Sequence, residues 1–111
     1  MQIDEQNQAA VTVLTPRGPL TGDDSAVLAS RVDAAADQQR GRVVVDLSNV
    51  SFVDSAGLEV IADLGERFER VARSLKLACV NETLREVLDL TEVASFCELY
   101  EDASAAVRSF E

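Results

Sequence analysis

Ser55 stands between the acid Asp54 and the pair Ala56-Gly57, inside the stretch VVVDLSNVSFVDSAGLEVIADL that runs from Val43 to Leu64. An apolar β-branched run, a short polar turn and then apolar positions at helical spacing predict a buried strand whose connecting turn delivers Ser55 to the start of a helix. A hydroxyl at that place has two uses. It can cap the free backbone N–H groups of the first helical turn. It can also carry a phosphate, because those N–H groups and the positive end of the helix dipole tolerate an anion. On the residues alone both readings stay open.

Other chemistry is poorly supplied. The chain has no histidine, which removes the usual base for a serine nucleophile and the commonest transition-metal ligand. Ser55 lacks a G-x-S-x-G elbow, and no G-x-x-x-x-G-K-[ST] loop is present for a nucleotide. No catalytic residue, metal-ligand set or cofactor is expected. The two cysteines, Cys79 and Cys97, fall in apolar strand-like segments, which fits reduced core residues better than a disulfide framework.

With 111 residues, 47% of them apolar, the chain is expected to form one domain over residues 1–111. Twenty acidic against ten basic residues give a net charge of −10, which opposes binding to nucleic acid or an anionic membrane and points to a protein partner. Solubility alone accounts for part of that acidity. The apolar positions near the start are too few, and too mixed with Asp4 and Glu5, for a secretory signal, and no run is long enough to insert in a membrane. A soluble, cytoplasmic protein is expected.

The elements that must position Ser55 follow from periodicity. Gln2 to Gln6 and Ala10 to Thr15 read as a hairpin turning around Asn7. Thr21 to Asp24 offers N-caps for a helix with Leu28, Val32, Ala35 and Ala36 on one face, ending near Gly41. Val43 to Val45 reads as a central strand covered on both faces. After Ser55 an apolar stripe of Leu58, Ile61, Gly65, Phe68 and Ala72, widened by Val60, Leu64 and Val71, opposes a charged face. On that face Asp63 with Arg67, Glu66 with Arg70 and Glu69 with Arg73 have ion-pair spacing. Gly65 implies close approach to the sheet. Leu75 to Val80 is a further strand, Thr83 with Glu86 matches a capping box, Phe96 to Tyr100 is a last strand, and Asp102 caps a terminal helix. Strands alternating with helices from Val43 onward predict parallel pairing, so the fold class is α/β: a mixed sheet, with an antiparallel hairpin first, packed with about four helices.

This order of elements, with DLSNVSFVDSAGL from Asp46 to Leu58, resembles the STAS family, and within it the bacterial anti-sigma factor antagonists. The strongest part is Asp54-Ser55-Ala56-Gly57-Leu58 after the turn Val50-Ser51-Phe52. The resemblance implies partner switching: the unmodified domain binds an anti-sigma factor that is a serine kinase, a sigma factor is released, and phosphorylation of Ser55 ends the contact. ATP and magnesium belong to the kinase, and a phosphatase restores the serine. It implies a partner surface of Thr21, Asp23, Asp24, Val53, Asp54, Ser55, Ala56, Gly57 and Leu58. There Asp54 shapes the turn, Gly57 keeps the first helical turn open to the kinase, and Leu58 anchors the helix. One departure stands out. The family carries an acid after Gly-x-Leu, where this chain has Gly18-Pro19-Leu20-Thr21, and Asp23 and Asp24 are the nearest candidates to replace it.

A second reading resembles the STAS accessory subunits of phospholipid-trafficking ABC transporters, whose motif Asp-Thr-Ala-Gly-Leu shares the alanine at Ala56. Ser55 would then cap the helix and contact a transporter ATPase without modification. A small-ligand or nucleotide binder rests only on the fold and the anion-tolerant helix start.

Overall fold

The computed structural model describes residues 1–38 and 41–110. β1 (Gln2–Gln8) and β2 (Val11–Arg17) form the antiparallel hairpin, and α1 (Gly22–Gln38), β3 (Val43–Asp46), α2 (Ser55–Arg70), β4 (Leu75–Ala78), α3 (Glu82–Leu90), a 3₁₀ turn (Val93–Phe96), β5 (Cys97–Tyr100) and α4 (Ala103–Arg108) follow. The sheet has the order β1-β2-β3-β4-β5, with every pair after the first parallel. The expected mixed sheet with four α-helices is therefore present among the described residues.

β3 lies in the middle of this sheet and its valines alternate between faces. Val43 and Val45 pack with Leu28, Val32, Ile61 and Leu64 of α1 and α2, while Val44 joins Val11, Val13, Ala78 and Val107 beneath α4. Burial on both faces explains why a four-residue strand reads as an unbroken β-branched run. α1 buries Leu28, Val32, Ala35 and Ala36, as its spacing predicts. The expected end near Gly41 falls partly on residues 39–40, outside the described residues.

Several local expectations are corrected. The hairpin turns at Ala9-Ala10, both at positive φ, and not around Asn7, because Gln8 pairs with Val11 and leaves a two-residue loop. The apolar stripe of α2 stops at Phe68. Val71 is 60% exposed and Ala72 has φ +58, so neither widens the core face. The cause is a helix stop: Ala72 N–H donates to Glu69 C=O at 3.0 Å and Arg73 N–H to Phe68 C=O at 2.9 Å, the double closure that a left-handed residue permits. Arg67 bonds Asp33 of α1 at 3.0 Å, not Asp63, and among the described residues none of the three same-helix pairs closes as an ion pair. α3 is capped by Asn81, which accepts from Leu84 N–H at 2.7 Å, so the Thr83–Glu86 box is not used. Asp102 does cap α4, accepting from Ala105 N–H at 2.7 Å.

Gly65 approaches the 3₁₀ turn where it enters the sheet: a Cβ there would lie 2.8 Å from both the Cβ and the carbonyl oxygen of Phe96 and 3.3 Å from Sγ of Cys97, the first residue of β5. The cysteines are free and only partly buried, and they sit on opposite faces, Cys79 against the α4 cluster and Cys97 against the other. Loss of hydration pushes the Cys97 thiol up to about 12. Burial first, and then the neighbouring Asp46, also raises Cys79.

Ala72 carries a Cβ at a position whose left-handed backbone favours glycine. Ala72→Gly is expected to raise stability by about 1 kcal/mol, read as an upward shift in the urea midpoint with unchanged slope. A lower midpoint would show that the closure of α2 is not strained.

Candidate functional site

The loop from Leu47 to Asp54 is pinned by its own apolar residues and by backbone bonds on two sides. Leu47 and Val50 are buried at 2% and 4% exposure, and Leu47 N–H donates to Ala78 C=O of β4 at 2.9 Å. On the other side the turn after β2 runs alongside. Gly18 N–H donates to Asn49 C=O at 2.9 Å, Leu20 N–H to Phe52 C=O at 2.9 Å, and Asp54 N–H to Leu20 C=O at 3.1 Å. Leu20 and Val53 thus form a one-residue parallel bridge. With Leu20 fully buried, this bridge sets the starts of α1 and α2 at the same end of the sheet.

Asp54, and not Ser55, is the N-cap of α2. Its extended backbone (φ −86°, ψ −176°) brings Oδ1 to 2.8 Å from Gly57 N–H, and its carbonyl accepts from Leu58 N–H at 2.9 Å. Ser55 becomes the first residue of the helix and is exposed, and its hydroxyl makes no hydrogen bond among the described residues. The capping half of the sequence reading is overturned for Ser55 and transferred to its neighbour. What remains is an open hydroxyl on a rigid turn.

The surrounding positions divide in two. Gly57 is buried, not held open: a Cβ would press on the Leu20 carbonyl oxygen and stand 2.8 Å from Val53 Cγ1. Its lack of a side chain lets the first turn of α2 lie against the bridge. Leu58 and Val53 are half-buried and pack on the main core, which agrees with an anchoring role for Leu58, and Ala56 is also half-buried. Thr21 is half-buried, its carbonyl accepting from Asp24 N–H at 2.8 Å. Asp23 is exposed in the first turn of α1, and the Asp24 carboxylate lies 3.5 Å from the Met1 amine.

Sequence reasoning missed a groove beside this loop. Val50, Ser51, Phe52 and Val53 form one wall, and the cap Asn81 with Thr83, Leu84 and Val87 of α3 forms the other, enclosing about 220 Å³. Phe52 is 57% exposed and Val87 is 37% exposed at its edge. The signal was present in Phe52, a large apolar residue in a turn whose other apolar members, Leu47, Val50 and the half-buried Val53, pack on the core. What was missing was the partner wall, since α3 carries no mark linking it to the loop.

The STAS domain family matches residues 2–106. The chain belongs to this family. Among curated relatives, BtrV of Bordetella bronchiseptica, a candidate anti-sigma factor antagonist, is 25% identical over 95 residues, covering 86% of this chain and 82% of its own length. An anti-sigma F factor antagonist of Paenibacillus polymyxa is 22% identical over 112 residues, covering 100% and 96%. The STAS fold here is also that of the Bacillus protein SpoIIAA. Its phosphorylated form matches with TM-score 0.73 at 16% identity, covering 99% of this chain and 100% of that one, and its unphosphorylated form with TM-score 0.71 at 18% identity, covering 98% and 97%.

With Asp54 as the cap, Asp54→Ala should lower stability by about 1 kcal/mol while Asp54→Asn loses less than half of that, both measured by urea denaturation. Ser55→Ala should fall within about 0.5 kcal/mol of wild type. A larger loss for Ser55→Ala than for Asp54→Ala would return the capping role to the serine.

Proposed function

We propose that this STAS domain is an anti-sigma factor antagonist that docks an anti-sigma factor serine kinase in the unmodified state and is released by phosphorylation of Ser55. The observation that carries this reading is the exposed Ser55 hydroxyl on the first residue of α2, directly after a loop bonded on both sides and beside a cap that Asp54 supplies in its place. The names of the relatives support the same direction. The transfer needs nothing from this chain beyond an oxygen. The serine oxygen forms a bond to the γ-phosphorus of kinase-bound ATP, the bond from that phosphorus to the β,γ-bridging oxygen breaks, ADP leaves, and the hydroxyl proton passes to a kinase base.

The phosphate adds about −1.5 to −2 charges at a surface that already carries Asp54, Asp23 and Glu59. The fold has little stake in Ser55, so the domain stays folded. A docked partner has a large stake, because it must desolvate the new anion or face it unpaired. The groove next to the loop extends the docking face, with Phe52 and Val87 as its apolar anchors, and a cytoplasmic phosphatase returns the serine to its binding state.

Mixing the purified domain with GHKL-type anti-sigma kinases from the same genome, with and without ATP and magnesium, tests the reading. A stable complex is expected without ATP, and with ATP a single phosphate on Ser55 by mass spectrometry. Ser55→Ala should bind like wild type and resist release, and Ser55→Asp should bind at least about tenfold more weakly, roughly 1.4 kcal/mol. Val87→Lys should weaken the complex several-fold while circular dichroism stays unchanged. Wild-type affinity for Ser55→Asp, or partnership with a transporter ATPase in place of any kinase, would sink the proposal.

A further inference from the structure

The sheet face turned away from α1, α2 and α3 is thinly covered. Val11, Val13, Val44 and Ala78 line it, and among the described residues the helix over it is α4, six residues long, which buries only Ala106 and Val107. Beneath the end of α4 lies Lys76, 7% exposed, the one ionisable side chain among the buried residues described. Its position follows from strand alternation. Leu75 and Leu77 face the larger core, so β4 turns Lys76 toward α4.

The ammonium has two sets of neighbours. β5 supplies a Glu98 carboxylate oxygen at 3.3 Å and the Tyr100 hydroxyl at 3.5 Å, and that hydroxyl itself donates to Glu98 at 2.8 Å. The chain just past α4 supplies Ser109 Oγ at 2.6 Å and the Phe110 ring, whose centroid is 4.1 Å away. The first set stays with the sheet if α4 lifts. The second leaves.

These two sets place opposing forces on one short segment. Docking α4 buries Ala106 and Val107 and parts of Ala103 and Phe110, and gains a cation–π contact and one hydroxyl. It also strips water from an ammonium whose carboxylate partner remains half-exposed, and a buried charge recovers such a loss only with excellent pairing. We infer that α4, with Ser109 and Phe110, is a releasable strap over Val11, Val13 and Val44, and that the Lys76 ammonium holds it near its opening point. Lifting the strap rehydrates the lysine and uncovers an apolar patch on the face opposite α2.

Hydrogen–deuterium exchange on the whole chain, read by mass spectrometry, tests this directly. In wild type, amides from Ala105 to Phe110 should exchange at least about tenfold faster than those in the middle of α2. Lys76→Met should slow them about tenfold with α2 unchanged, because an apolar side chain gains nothing from opening. Phe110→Ala, which leaves the sheet intact, should speed them with α2 again unchanged. The inference is overturned if Lys76→Met speeds strap exchange, which would make the lysine a staple. It is equally overturned if wild-type strap amides exchange in step with α2, or if Phe110→Ala leaves them unmoved.

Discussion

Leu20 gives its N–H to Phe52 and takes the N–H of Asp54, and the geometry of the candidate site hangs on that pair of backbone bonds. The bridge fixes the turn before α1 against the turn before α2, so two helix starts far apart in sequence share one end of the sheet. It also dictates Gly57. The first turn of α2 runs so close to the Leu20 carbonyl that any Cβ at position 57 collides with backbone, which has nowhere to yield. Ordinary cores accept such pressure by moving side chains; a carbonyl already in a hydrogen bond does not.

Along the segment that carries Ser55 the charge is one-sided, and the cations beside it are paired, Arg17 with Asp4 and the Met1 amine with Asp24. From Val43 through Glu66 there is no lysine or arginine, while Asp46, Asp54, Glu59, Asp63 and Glu66 all carry carboxylates. α3 adds Glu82, Glu86 and Asp89 against the single Arg85. Arg67, the first arginine that follows, is paired with Asp33 of α1. A protein that docks on Phe52 and Val87 therefore meets an acidic rim, and basic groups around its apolar contact would speed and orient the encounter. One more negative group at Ser55 adds to a field that already has that sign.

The sequence was most legible where burial enforces a period. The apolar face of α1, the doubly covered β3 and the Ser55 turn all follow from spacing, because each buries a face whose pattern cannot be satisfied another way. It was least legible at stops and caps, where neighbouring residues compete for one role. Ala72 closes α2 where glycine would signal the end, so the apolar spacing continues to Val71 and Ala72 with no stop signal in the sequence. Asp54 outcompetes Ser55 for the cap because it stands one residue earlier, outside the helix, and its carboxylate reaches forward to Gly57 N–H. Asn81 likewise takes α3 from Thr83, and the groove needed three dimensions because its walls lie on segments about thirty residues apart.

The exchange of roles between Asp54 and Ser55 bears most directly on how a surface switch can be separated from stability. Were the serine hydroxyl the cap, esterifying it would remove an acceptor from the first turn and force a phosphate into its place, so that binding and folding would change together. With the carboxylate as cap, the helix start is satisfied before and after any modification, and the N–H groups of Ser55 and Ala56 remain to face an anion. The hydroxyl is left with no structural duty, and the free energy of a new charge at Ser55 is spent on whatever touches it from outside. Such a division requires the cap and the modified oxygen to sit on adjacent residues. The sequence Asp-Ser at a helix start meets that requirement only if the acid stays outside the helix, and the bond from Asp54 N–H to Leu20 C=O keeps it there.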